Sequence, residues 1–225
     1  MADLKTRIAK RCAKEFKDGY VANLGIGLPT MVGGYLPEGV HITLQSENGF
    51  TGLEGICDRG NENVDIINAG GQYAKASARV NYFDSATSFG IIRGGHVDAT
   101  VLGAMQVDEK GNLANWIIPG KMYAGMGGAM DLVVGAKEVI ISMVHQQFNK
   151  KTGTSKPKIL KECTLPLTAV GVVDLIVTEM CVIEVTEEGL LLTEVHPDYT
   201  VEDVIAATDA HLNISPDLKA YDITE

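Results

Sequence analysis

Long apolar runs are missing from this 225-residue chain. None approaches the roughly twenty consecutive apolar residues needed to cross a bilayer, and the opening MADLKTRIAKRC lacks the continuous apolar centre of a signal peptide. The expectation is a soluble, cytoplasmic protein with no membrane partner. Cysteine is sparse and unpatterned. Cys12, Cys57, Cys163 and Cys181 form no C-x-x-C pair and the histidines show no HExxH spacing, so no metal site and no disulfide framework is encoded. Positive charge is also in deficit. Nineteen Lys and Arg against twenty-nine Asp and Glu leave a net charge of −10, the wrong sign for a phosphate-backbone partner, which excludes nucleic acid.

Glycine is abundant instead: 25 of 225 residues, about 11% against a typical ~7%. The glycines cluster in GIGLP, GGYLPEG, NGFTGLEG, NAGG, RGGH and GMGGAMD, as tight turns or as places where backbone approaches a ligand closely. Between them the pattern alternates. Leu4, Ile8, Cys12 and Phe16 recur every four residues and predict an amphipathic first helix stopped at Asp18-Gly19, its basic residues forming a solvated face. Residues 20–24 and 40–45 read as strands, with a helical turn over 30–36 between them. The short apolar runs 98–105 and 138–144 suit buried parallel strands, 172–178 followed by 181–185 and 190–195 read as a strand and then a hairpin, and a last helix starts near Thr200. Strands alternating with helices predict one α/β domain over residues 1–225, an open and largely parallel sheet flanked by helices. Residues 149–161, polar and basic, read as an exposed excursion that is either solvated or meets the phosphates of an anionic cofactor.

In such sheets the ligand crevice lies beyond the carboxyl ends of the strands. The glycine loop after the first strand and Glu47 after the second then share one rim. Glu47 stands in Ser46-Glu47-Asn48-Gly49, where a plain hairpin needs only the Asn-Gly pair. GMGGAMD lacks the third glycine of a dinucleotide fingerprint, and no phosphate loop or serine elbow is present. His96 reads as a hydrogen-bonded histidine at a strand start.

LQSENGF resembles the active-site signature of the family I coenzyme A transferases, in which the glutamate of Ser-Glu-Asn-Gly is the covalent catalyst. The likeness continues through NLGIGLPTMV, INAGGQ, FDSATSF, IRGGHVDATVLGAMQVDEKGNLANWIIPGKM, GMGGAMDLV and KECTLPLT, covering most of residues 23–168. It implies a CoA-transferase fold related to that of sugar-phosphate isomerases. It also implies the β subunit of a transferase of the acetate, butyrate or acetoacetate class, working with an α subunit in an α2β2 or larger assembly. Coenzyme A, acyl-CoA and short-chain carboxylic acids are then substrates, and no cofactor is permanently bound. On this resemblance Glu47 is the nucleophile and Gly128 a backbone donor to the substrate; the shared rim adds Gly25 and Gly27, while Ser46 and Asn48 orient Glu47 or serve the turn. Two segments depart from the family pattern, residues 75–83 and Gly52-Leu53-Glu54-Gly55; in the first, Arg79 is either a partner for a substrate carboxylate or a surface residue. Competing readings are an acyl-CoA hydrolase, an isomerase using Glu47 as general base, and a ligand-binding domain without chemistry.

Overall fold

A computed structural model describes residues 4–123 and 125–223. Ten strands form one sheet: β1 (Val21–Leu24), β2 (Thr43–Ser46), β3 (Phe50–Ile56), β4 (Ala74–Tyr82), β5 (Ala99–Leu102), β6 (Glu138–Ser142), β7 (Leu175–Val177), β8 (Cys181–Thr186), β9 (Gly189–Val195) and β10 (Leu212–Ala220). Their spatial order is β10-β9-β8-β7-β6-β5-β1-β2-β3-β4. The middle five, β7-β6-β5-β1-β2, are mutually parallel, and β5, β6 and β7 at their centre are short apolar runs whose burial favours parallel pairing. Antiparallel hairpins extend the sheet on either side. The architecture is thus the expected α/β sheet with mixed edges.

Among the described residues four α-helices flank it: α1 (Leu4–Ala13), α2 (Ser85–Arg93), α3 (Ala129–Gly135) and α4 (Val201–Ala207). On one face, Ile8, Ala9, Cys12 and Ala13 of α1 pack with Phe16 over Ala22, Ala99, Val101 and Ile140. On the other, Val139, Ile141, Ile176, Ile183 and Leu192 meet Val204 and Ala207 of α4. Thr200 caps α4 by accepting from Asp203 N–H at 3.1 Å, while Asp203 accepts from Thr200 N–H at 2.9 Å, a reciprocal capping box.

Three expectations are corrected. The basic side of α1 is not all solvated: Arg11 is buried, held bidentately by Glu194 on β9 at 2.7 and 2.8 Å and paired with Glu15. Its planar fork matches a carboxylate, which lets a charged residue tie helix to sheet. Residues 149–161 are not a simple excursion. Gln146–Asn149 and Thr154–Pro157 pair as an antiparallel hairpin, after which Ile159–Leu160 runs beside Gln106–Asp108 with Ile159 fully buried. The apolar Ile-Leu pair anchors what the surrounding lysines disguise. His96 is exposed, and among the described residues only its backbone N–H is bonded, to Ile91 O at 3.1 Å.

Candidate active site

The chain leaves β1 for β2 on one side and, later, for β5 on the other, so the sheet's topological switch lies beside β1. Such a switch opens a crevice beyond the strand ends, and β2 delivers Glu47 there. Gly49 N–H closes the turn on Ser46 O at 3.0 Å, and Gly49 O accepts from Phe83 N–H at 2.9 Å. Gly49 has φ 139° and a Cβ there would collide with the Phe83 carbonyl, so this position admits only glycine. Asn48, by contrast, keeps a negative φ; the turn does not need it for its backbone.

Glu47 is half-buried, and its carboxylate accepts from Asn23 Nδ2 at 3.0 Å. Asn23, near the end of β1, is buried and also donates to Gln45 O at 3.3 Å. Sequence reasoning overlooked it, although a lone amide in the otherwise apolar strand Val21–Leu24 is the signal that marks it. Gln45 donates to Ser88 O and Oγ, both at 3.2 Å, and so locks β2 to α2. Gly128, buried at the start of α3, lies over Glu47: a Cβ at this position would stand 3.2 Å from Glu47 Cγ, 3.5 Å from Oε1 and 3.4 Å from Phe89 Cζ. Among the described residues no acceptor meets the Gly128 N–H.

The other site residues fall elsewhere. Gly25 lines the crevice, but its N–H donates to Val101 O at 2.8 Å, which corrects its role as an oxyanion donor: the strand ladder already uses that proton. Gly27 is exposed, with φ 89°, at the start of a short 3-10 helix (Leu28–Gly34), and does not line the cavity. Neither the Ser46 nor the Asn48 side chain touches the Glu47 carboxylate. Ser46 Oγ donates to Asn48 Oδ1 at 2.7 Å and accepts from Ala69 N–H at 2.9 Å, and Asn48 Nδ2 donates to Ile67 O at 2.8 Å. Together they fasten the INAGGQ loop, whose Asn68, Ala69, Gly70 and Gln72 form one wall of a cavity of about 170 Å³. Leu24, Ile26, Leu44, Leu53 and Ile56 make it largely apolar, and among the described residues Glu47 is the one ionisable group on its lining. Of the two departing segments, Leu53 and Gly55 face this cavity; Arg79 is exposed on β4 and forms no ion pair among the described residues.

The same strand-end rim carries a second polar group. His145, three residues after β6, is fully buried, with Nδ1 3.0 Å from Thr178 Oγ1 and Nε2 2.8 Å from Thr208 Oγ1. Thr208 donates its own proton to Val204 O at 2.7 Å, so Nε2 carries a hydrogen and donates it to Thr208. Desolvation, with a smaller push from Lys158, holds this histidine down at about 4.

Residues 5–207 match the family described as coenzyme A transferase. This chain belongs to the coenzyme A transferase family. It is 52% identical over 216 residues to the β subunit of the acetate CoA-transferase of Escherichia coli, covering 96% of both chains. It is 46% identical over 215 residues to one subunit of a probable succinyl-CoA:3-ketoacid coenzyme A transferase of Bacillus subtilis, covering 96% of this chain and 97% of that one. Among solved structures, an acyl-CoA transferase apoenzyme from Escherichia coli superposes with a TM-score of 0.74 at 23% identity; 98% of this chain corresponds to 44% of that longer one. At that identity the likeness speaks for the fold, and it agrees with the sheet described above. This CoA-transferase chain therefore aligns over nearly its whole length with chains named as single subunits of such enzymes.

Proposed function

We propose that the chain is the β subunit of a short-chain acyl-CoA:carboxylate CoA-transferase of the acetate, butyrate or acetoacetate class, with Glu47 as the covalent nucleophile. One observation carries the reading: a carboxylate, held by an amide, on the wall of a small apolar cavity with no cationic side chain among the described residues of its lining. Loss of hydration makes a carboxylate more reactive, and the hydrogen bond from Asn23 Nδ2 holds and aims this one. Glu47 attacks the thioester carbonyl, forming an acyl-glutamyl anhydride and expelling CoA thiolate. The thiolate then attacks the glutamyl carbonyl, releasing the first carboxylate and leaving CoA on Glu47. A second carboxylate reverses both steps. Each tetrahedral intermediate places an oxyanion beside Glu47, where the Gly128 N–H is the donor; one such donor is worth about 3 to 4 kcal/mol of barrier.

An α subunit completes the enzyme, in an α2β2 or larger assembly. The names of the related chains support this, as does the exposed apolar surface at the cavity, Ile26 (72% exposed) and Ile56 (46%). The four cysteines are free thiols, which suits the reducing cytoplasm. Among the described residues no helix is long and apolar enough to cross a membrane. An isomerase needs a cationic cradle for phosphate, which the described lining lacks. The test is mass spectrometry of the assembled enzyme after exposure to acyl-CoA without acceptor. A CoA thioester on the peptide containing Glu47 is expected; acyl-CoA turnover without that adduct overturns the nucleophile and favours hydrolysis.

A further inference from the structure

Three side chains beneath Glu47 share a geometric property the mechanism above does not use. Gln45, Asn23 and Thr100 are register partners across β2, β1 and β5. Their chain neighbours Leu44, Ala22, Ala99 and Val101 belong to the cluster under α1, so by strand alternation these three point to the opposite face. That face is covered by α2, through Ser88, and by α3, which packs on β5. They are 2%, 1% and 0% exposed. Each has one buried polar atom without a partner among the described residues: Gln45 Oε1, Asn23 Oδ1 and Thr100 Oγ1.

Rotating the amides does not remove the deficit. Gln45 Nε2 faces the Ser88 carbonyl, and Asn23 Nδ2 faces the Gln45 carbonyl and the Glu47 carboxylate. Those oxygens only accept, so both amide oxygens must turn inward. Two acceptors and one hydroxyl are then left buried on the same face of three adjacent strands, and the hydroxyl has a single proton. A buried polar atom left unmet forfeits its hydration with nothing in return, a deficit that native interiors relieve with internal water.

We infer that an ordered water molecule is bound at this shelf, donating to Gln45 Oε1 and Asn23 Oδ1 and accepting from the Thr100 hydroxyl. The three partners match the usual number for an internal water, and adjacent strands about 4.8 Å apart place its ligands on both sides of Asn23. Gln45 and Thr100 are thereby positioning residues: through the water they hold the Asn23 amide, which holds Glu47. The positioning role rests on Glu47 being the nucleophile; the water site does not.

A crystal structure of the assembled enzyme at a resolution that shows ordered water should contain density within hydrogen-bond distance of all three atoms. Direct pairing of the three side chains with no water between them overturns the inference. Thr100→Val keeps the shape and removes the proton donor. It should slow formation of the CoA adduct about tenfold, the effect of one unmet buried group, with KM for acyl-CoA unchanged and with rescue by Thr100→Ser. Wild-type speed in a folded Thr100→Val enzyme, or a slowed rate that Thr100→Ser does not restore, contradicts the positioning role. If Thr100→Val does not fold, the wild-type density and the rate of Thr100→Ser, expected near wild type, decide. An adduct on Glu47 without the water sinks this inference alone; the water without an adduct sinks the nucleophile and the positioning role with it, and leaves the water site standing.

Discussion

Glu47 and His145 occupy equivalent places, each just past the carboxyl end of a parallel strand of one sheet, and they have opposite fates. His145 is roofed by α4 and its following residue Thr208, both ring nitrogens are engaged, and burial denies it a second proton at neutral pH. Glu47 lies under the backbone of Gly128 and opens onto a cavity. The sheet offers a rim of polar strand ends that differ in what covers them. In the proposed chemistry that difference separates a reagent from a structural group: a side chain on the roof excludes substrate, whereas a glycine leaves room for a reacting carbonyl and an N–H to meet it.

The widest gap between the two positions should appear on mutation. Glu47→Gln is expected to lower CoA transfer at least about a thousandfold while leaving the urea midpoint unchanged, since the replacement is isosteric and half-buried; equal losses of activity and stability would erase the distinction. His145 should show the reverse, a stability effect read through pH. Its folded-state value of about 4 lies below the ordinary 6.5, so the unfolded chain takes up the proton first. Its contribution is complete above about pH 6.5 and drains away as pH falls toward 4, on the order of 3 kcal/mol in total. Urea titrations across that window should show the slope, and His145→Gln should flatten it.

Gly128→Ala probes the roof itself. Its φ of −83° suits alanine, so a rate loss of about tenfold with little change in unfolding temperature would trace to the Cβ crowding Glu47 and Phe89 rather than to backbone strain. Thr208→Val should uncap His145 and cost about 1 to 2 kcal/mol in thermal unfolding without altering transfer. The smallest contrast is chemical. Cys57, next to the cavity residue Ile56, is partly exposed, whereas Cys181 lies 3.7 Å from His145 Nδ1 with burial pushing its thiol up to about 12. Native alkylation followed by peptide mapping should label Cys57 first and Cys181 only on unfolding; equal labelling would mean that the His145 end is not sealed.

Much of this was legible in advance because periodic patterns are local. The apolar runs at 98–105 and 138–144 announce buried parallel strands, and Ser46-Glu47-Asn48-Gly49 announces its turn by composition alone. What could not be read was any fact depending on the far side of a contact. Arg11 looks like every other basic residue of its helix until Glu194, 183 positions away, meets it. Gly25 resembles a free donor until β5 supplies the Val101 carbonyl. Ser46 and Asn48 look like partners for Glu47 and prove to fasten the loop at 67–69.

By itself, then, the order of residues determined the α/β class, the position of the Glu47 turn and the family, since each depends on neighbours within a few residues or on a long ordered likeness. Only tertiary structure decided which polar groups stand next to Glu47: Asn23 arrives from a strand 24 residues earlier and Gly128 from a helix start 81 residues later. Hydrogen bonds act over about 3 Å, and which atoms come within that reach is settled by packing.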